Sequence, residues 1–103
     1  MGSAERTFAF DHAAAEGHFP GNPIIPGAVL LGAAIEAIAE ALGVSLSPCT
    51  IRSAKFYLPT RPGDTVVIEF TGNTPGSLRF ECAVRGSKVL AGQIECNAAP
   101  TSP

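Results

Sequence analysis

The sequence predicts an α+β domain, one long helix against an antiparallel sheet. Three observations carry this. The only long helical pattern runs from Ala28 to Leu42. Alternating strand patterns fill the chain after Ile51. A stiff, proline-rich loop separates the helix from a single short strand before it. One helix and one antiparallel sheet make an α+β layer arrangement, and at 103 residues the chain is read as one domain, 1–103.

The first strand is expected at Thr7 to Asp11, with Phe8 and Phe10 on one face. The loop Gly17-His18-Phe19-Pro20-Gly21-Asn22-Pro23-Ile24-Ile25-Pro26-Gly27 follows a short Ala-rich link. Each of its three prolines fixes its own φ and pushes the residue before it towards extended geometry. The segment is therefore neither helix nor ordinary strand; it is a rigid loop that holds His18 in one place. The helix that follows is apolar on nearly every face, which predicts burial on most sides. Many of its residues are Ala or Gly, so a sheet can approach closely. Gly43 is a stop signal just past the last periodic residue.

Strands are expected at Ile51–Leu58, Thr65–Thr71, Ser77–Arg85 and Lys88–Asn97. Pro59 to Gly63 breaks the first pair, and Gly72-Asn73-Thr74-Pro75-Gly76 turns the second. Gly86-Ser87 reads as a tight hairpin turn. Val66, Ile68 and Phe70 share one face, as do Leu78, Phe80, Cys82 and Val84, and Leu90, Ile94 and Cys96. The ends, 1–6 and 98–103, are expected to be flexible.

Composition excludes several function classes. The chain is 46% apolar and 16% charged, too apolar for disorder, and part of that apolar surface suits a subunit contact. The net charge is −2 with no basic run, which argues against nucleic acid. The apolar stretch from Ile24 is broken by Pro26, Glu36 and Glu40, so no membrane span is expected. Nor does an apolar leader core follow the N-terminus. Cys49, Cys82 and Cys96 have no metal spacing and read as small buried residues in a reducing, cytoplasmic compartment. Cys82 and Cys96 fall on neighbouring strands but out of register.

The chemistry concentrates at the loop and helix start. Imidazole titrates near neutral pH, as a proton shuttle requires. A helix N-terminus offers free N–H groups and a positive dipole end to developing negative charge. Gly27 permits the turn into the helix and also presents a bare N–H to an oxyanion. His12 lacks such rigidity and reads as surface or structural. Arg52, Lys55, Arg61 and Arg79 are cationic candidates for an anionic arm or partner, or simply a solvated face.

His-Phe-Pro-Gly-x-Pro-x-x-Pro-Gly running into an apolar helix resembles the signature of the β-hydroxyacyl-acyl-carrier-protein dehydratases of the hot-dog fold. Lys55-Phe56, followed by Arg61-Pro62-Gly63-Asp64, is a second match in the right order. The resemblance covers roughly Phe8 to Cys96. It implies a sheet wrapped round a central helix, and a hydro-lyase forming trans-2-enoyl thioesters in fatty-acid or related acyl-chain synthesis. His18 would then remove the proton α to the thioester carbonyl. Phe19, Pro20, Gly21, Pro26, Gly32 and Phe56 would line the substrate. The implied substrate is an acyl carrier protein or coenzyme A thioester. No cofactor and no metal are implied, since the elimination needs only a base, an acid and an oxyanion site. The family's site is composite, which implies a homodimer or a trimer of dimers.

The chain departs from the family at one position. The family's helix carboxylate falls at Gly32. Glu36, four residues on, lies on the same helix face about 6 Å away, and is the candidate replacement. The alternative is that Glu36 belongs to a solvated or interface stripe with Glu40. The departure keeps a second reading open: a catalytically weak acyl-thioester-binding protein, or one subunit of a heterodimer. Hot-dog thioesterases take their carboxylate from the central helix but lack His-Phe-Pro-Gly, and fit less well.

Overall fold

The structure, a computed structural model, describes residues 2–9, 24–46, 48–72 and 76–96. Its elements are β1 (Gly2–Thr7), α1 (Gly27–Leu42), β2 (Cys49–Phe56), β3 (Thr65–Gly72), β4 (Gly76–Val84) and β5 (Ser87–Cys96). The strands form one antiparallel sheet in the order β1-β3-β4-β5-β2. The helix lies against one face of it, closest to β1 and β3.

The strict alternation in β3 and β4 follows from that layering. Val66, Ile68 and Phe70 of β3, and Leu78, Phe80, Cys82 and Val84 of β4, are buried. They meet Leu30, Ala34, Ala37 and Ile38 of α1 in one core cluster, with Leu90, Ile94 and Cys96 of β5. Each large aliphatic side chain fully buried there contributes about 1.5–3 kcal/mol. The small Ala34 and Ala37 let helix and sheet approach closely. α1 ends as expected, at Gly43, whose φ of 69° lies in the left-handed region. Its N–H and that of Val44 bond the last helical carbonyls, Glu40 and Ala39.

Four expectations need correction. The first strand is not Thr7 to Asp11 but Gly2–Thr7, so the end expected to be flexible is paired to β3, from Gly2↔Phe70 to Thr7↔Thr65. Phe8 is buried just beyond the strand, where its apolar signal belongs to the core. Phe10 and the 98–103 end lie outside the described residues. The β2 strand is Cys49–Phe56, two residues earlier than read, and all but Cys49 are exposed because it is the sheet edge. The β4–β5 hairpin turns at Arg85-Gly86, with φ values of 50° and 81°, not at Gly86-Ser87. Finally, α1 is not buried on most sides: Ala28, Gly32, Glu36 and Glu40 form an exposed strip along it.

Candidate active site at the helix start

The segment ahead of α1 is fixed from behind. Ile25 is buried and its N–H donates to the Thr60 carbonyl at 2.7 Å. Pro26 follows with φ −57° and ψ 144°, so the chain is extended up to the last residue before the helix. Its carbonyl accepts from the N–H groups of Val29 and Leu30, both at 3.0 Å. Among the described residues no side chain caps this end, and no acidic residue lies in the first turn. The helix start thus keeps the donor character that attracts an anion or a developing oxyanion.

Phe56, the last residue of β2, lies across this end. A β-carbon on Gly27 would sit 3.0 Å from Cε1 and Cζ of the Phe56 ring. The two motifs that were separate in sequence therefore meet: Pro26-Gly27 from the loop and Phe56 from the Lys55-Phe56 pair. Beyond Phe56, the Tyr57 ring has the Lys55 and Lys88 ammonium groups each 5.3 Å from its centroid, a cation–π arrangement.

The rest of the second motif holds the fold. Arg61-Pro62-Gly63-Asp64 is a turn in which the Asp64 N–H donates to the Arg61 carbonyl at 3.0 Å. Pro62 and the positive φ of 92° at Gly63 suit a type II turn. The buried Asp64 carboxylate accepts from the Arg61 N–H at 2.8 Å and from Arg85 Nη2 at 3.3 Å. Phe8 pins the turn to the end of β1, donating to the Asp64 carbonyl and accepting from Gly63.

His18, Phe19, Pro20 and Gly21 lie outside the described residues. Gly32 faces solvent, and a β-carbon there would meet nothing within 4 Å. Glu36 stands on the same exposed strip, its side chain 73% exposed and 3.6 Å from Arg6 Nη2. The same Arg6 nitrogen lies 2.5 Å from Glu40. The hydrogen bond to Glu40 raises the Arg6 pKa above its ordinary value, with the charges of Glu40 and Glu36 adding to it against a loss from desolvation. Sequence reading missed Arg6 because it was placed in a loose end; its signal was the i, i+4 pair Glu36 and Glu40 awaiting a cation.

Two further features bear on function. A groove of about 610 Å³ opens on the exposed side of the sheet, lined by Lys55, Tyr57, Glu69, Arg79, Glu81 and Gln93 among others. Lys55 and Arg79, two of the cationic candidates, line it, whereas Pro26, Gly27, Gly32, Glu36 and Phe56 do not. Among the described residues, no group of three His, Cys, Asp or Glu side chains is placed to hold a metal. None of the described helices is long and apolar enough to cross a membrane.

One helix packed on a five-stranded antiparallel sheet in this order is the hot-dog arrangement. Comparison with known proteins agrees. The model of the ApeI-like family, described as ApeI dehydratase, matches residues 3–93. The 3-hydroxyacyl-[acyl-carrier-protein] dehydratase FabZ of Proteus mirabilis is 34% identical over an alignment covering 92% of this chain and 68% of that protein. The FabZ of Sodalis glossinidius is 32% identical with the same coverage. A solved structure, the dehydratase heterocomplex ApeI:P from Xenorhabdus doucetiae, superimposes with a TM-score of 0.73 at 23% identity, over 92% of this chain and 86% of that one. The chain belongs to the ApeI-like dehydratase family.

Proposed function

We propose that this chain is a hydro-lyase of the 3-hydroxyacyl-acyl-carrier-protein dehydratase type, converting (3R)-3-hydroxyacyl thioesters to trans-2-enoyl thioesters. The observation that carries the reading is the uncapped helix start at Gly27, with Phe56 packed across it. A thioester oxygen seated at the Gly27 N–H gains stabilisation as enolate charge builds. His18, nine residues before Gly27 in the sequence, takes the α proton. The 3-hydroxyl leaves as water once a proton reaches it, and Glu36 is the proposed source. No redox change occurs, and atoms balance as one water lost.

Family membership and the FabZ-named relatives support this reading. They also favour acyl carrier protein as the carrier, with coenzyme A as the alternative. The reading needs a second subunit, and the exposed apolar edge suits one. Ile51, Phe56, Tyr57 and Leu58 are 48%, 48%, 44% and 51% exposed along β2 and its continuation. A homodimer, alone or in a trimer of dimers, would cover them. The three free cysteines are in keeping with a cytoplasmic protein.

A second reading rests on Gly32 and on the ion pair that holds Glu36 to Arg6. In it, the chain binds the acyl thioester while a different subunit supplies the acid. Mass measurement of water loss from 3-hydroxyacyl-carrier substrates, with this chain purified alone, separates the two. The dehydratase reading expects turnover that His18→Ala lowers by about 10²-fold or more, and that Glu36→Gln abolishes. An inactive wild type that gains turnover through Gly32→Glu would instead establish the binding subunit.

A further inference from the structure

Sequence spacing paired none of the cysteines, but the sheet does. Cys49 opens β2 and stands directly across from Cys96, the last residue of β5. Facing residues on antiparallel strands have Cα atoms about 4.5–5.5 Å apart, within the span of about 4.4–6.8 Å that a disulfide bridges. The register puts the two side chains on the same face of the sheet, and both thiols are free. Cys49 is half-buried, whereas Cys96 is 1% exposed.

We infer that Cys49 and Cys96 form a reversible cross-strand disulfide that clasps the edge strand β2 onto β5. The oxidant is a small-molecule disulfide. The Cys49 thiolate attacks one of its sulfurs and expels the other as a thiol, leaving a mixed disulfide on Cys49. The Cys96 thiol then loses its proton, attacks Cys49 Sγ and expels the second small thiol. Two protein thiols are oxidised and one small disulfide is reduced to two thiols. The order follows from access: Cys49 meets solvent, and Cys96 waits behind it. Burial, and then the neighbouring Cys49, push the Cys96 thiol up, which makes it a poor first nucleophile. Cys82 takes no part; it is fully buried on β4, opposite Leu90 rather than a cysteine.

The clasp acts on the strand that matters to the site. Among the described residues β2 pairs with β5 alone, and its far end carries Phe56 against Gly27. Joining its first residue to β5 closes the chain from 49 to 96 and removes fraying at that edge.

Trypsin places the three cysteines in different peptides, 7–52, 80–85 and 89–103. The reduced full chain is incubated with oxidised glutathione, alkylated, digested without reductant and weighed. The expected product is the 7–52 peptide joined to 89–103, formed by wild type and by Cys82→Ala, and absent in Cys49→Ser. Oxidation should also raise the wild-type Tm by roughly 10 °C and leave Cys49→Ser unmoved, with dithiothreitol reversing both changes. Any of three results overturns the inference: glutathione retained on Cys49 with Cys96 still open to alkylation after unfolding, a linkage involving Cys82 or a second molecule, or an unchanged wild-type Tm.

Discussion

Gly27→Ala tests whether the helix start is a working site or only a fold junction. The new methyl would lie 3.0 Å from two carbons of the Phe56 ring and 3.5 Å from a third. Ordinary carbon contacts fall at about 3.5–4.0 Å, so the ring must retreat by roughly half an ångström. In a closed core such overpacking costs about 1–3 kcal/mol. Here Phe56 is 48% exposed in the single chain and has room to move until a partner subunit covers it. Alanine also regains up to about 1 kcal/mol of helix propensity over glycine. The net change in stability should stay within about 1 kcal/mol, a Tm shift of roughly 5 °C or less. Turnover is another matter. The methyl sits beside the N–H proposed for the thioester oxygen, and misplacement by about 1 Å can cost 10²-fold. The expected result is kcat/KM on a 3-hydroxyacyl thioester lowered by about 10- to 10²-fold, equivalent to about 1.4–2.7 kcal/mol in the barrier. Phe56→Leu in the Gly27→Ala background should recover part of it by making room. Calorimetric Tm and steady-state kinetics on the same preparations decide the matter. A variant with wild-type kcat/KM would refute the placing of the oxyanion at this N–H, and a loss of Tm matching the loss of activity would make Gly27 structural.

Two further outcomes concern the frame around the site. Thr60 is 1% exposed and its hydroxyl has no hydrogen-bond partner among the described residues; Thr60→Val keeps its shape and the carbonyl that holds Ile25, and should raise stability by about 1 kcal/mol. A fall in Tm would mean that the hydroxyl has a partner. Burial pushes the Cys82 thiol up to about 12, so the folded state keeps a proton that the unfolded chain loses near pH 8.5. Stability should therefore be unaffected by this group below that pH, and fall between there and about pH 12 by at most about 1.4 kcal/mol per pH unit. Urea titrations of wild type and Cys82→Ala across that range should differ in slope, and equal slopes would remove Cys82 from the alkaline response.

The elements legible in the sequence are those with one face against α1 and the other in water. β3 and β4 alternate because that layering demands it, and α1 announces its end through Gly43. β1 was not legible because its inward positions hold Gly2, Ala4 and Arg6, none of them a large apolar residue. β2 was blurred because it is an edge with Ile51 and Phe56 half exposed, so neither face imposes a pattern. The hairpin turn was misplaced because Arg85 occupies a left-handed conformation usually left to Gly or Asn. Its guanidinium reaches the Asp64 carboxylate from there, a long-range contact that no local turn rule contains.

The same limit governs the site. Proline spacing and the helical pattern located the helix start at Pro26-Gly27 without a structure, because a helix start is a local property. The meeting of Gly27 with Phe56, and of Glu36 with Arg6, joins segments about thirty residues apart, and pattern cannot supply it. Glu36 illustrates the consequence. Helical spacing correctly placed it on one strip with Gly32, since both are exposed along α1. That spacing could not say what the strip faces. In the single chain it faces Arg6 and solvent, and the space above Gly32 is open. An acid group needs a partially enclosed, apolar setting to hold a proton near neutral pH, and the described residues of one chain do not provide it there. If Glu36 is the acid, the enclosure must come from beyond the described residues, and where a second subunit supplies it the chemistry and the assembly stand or fall together.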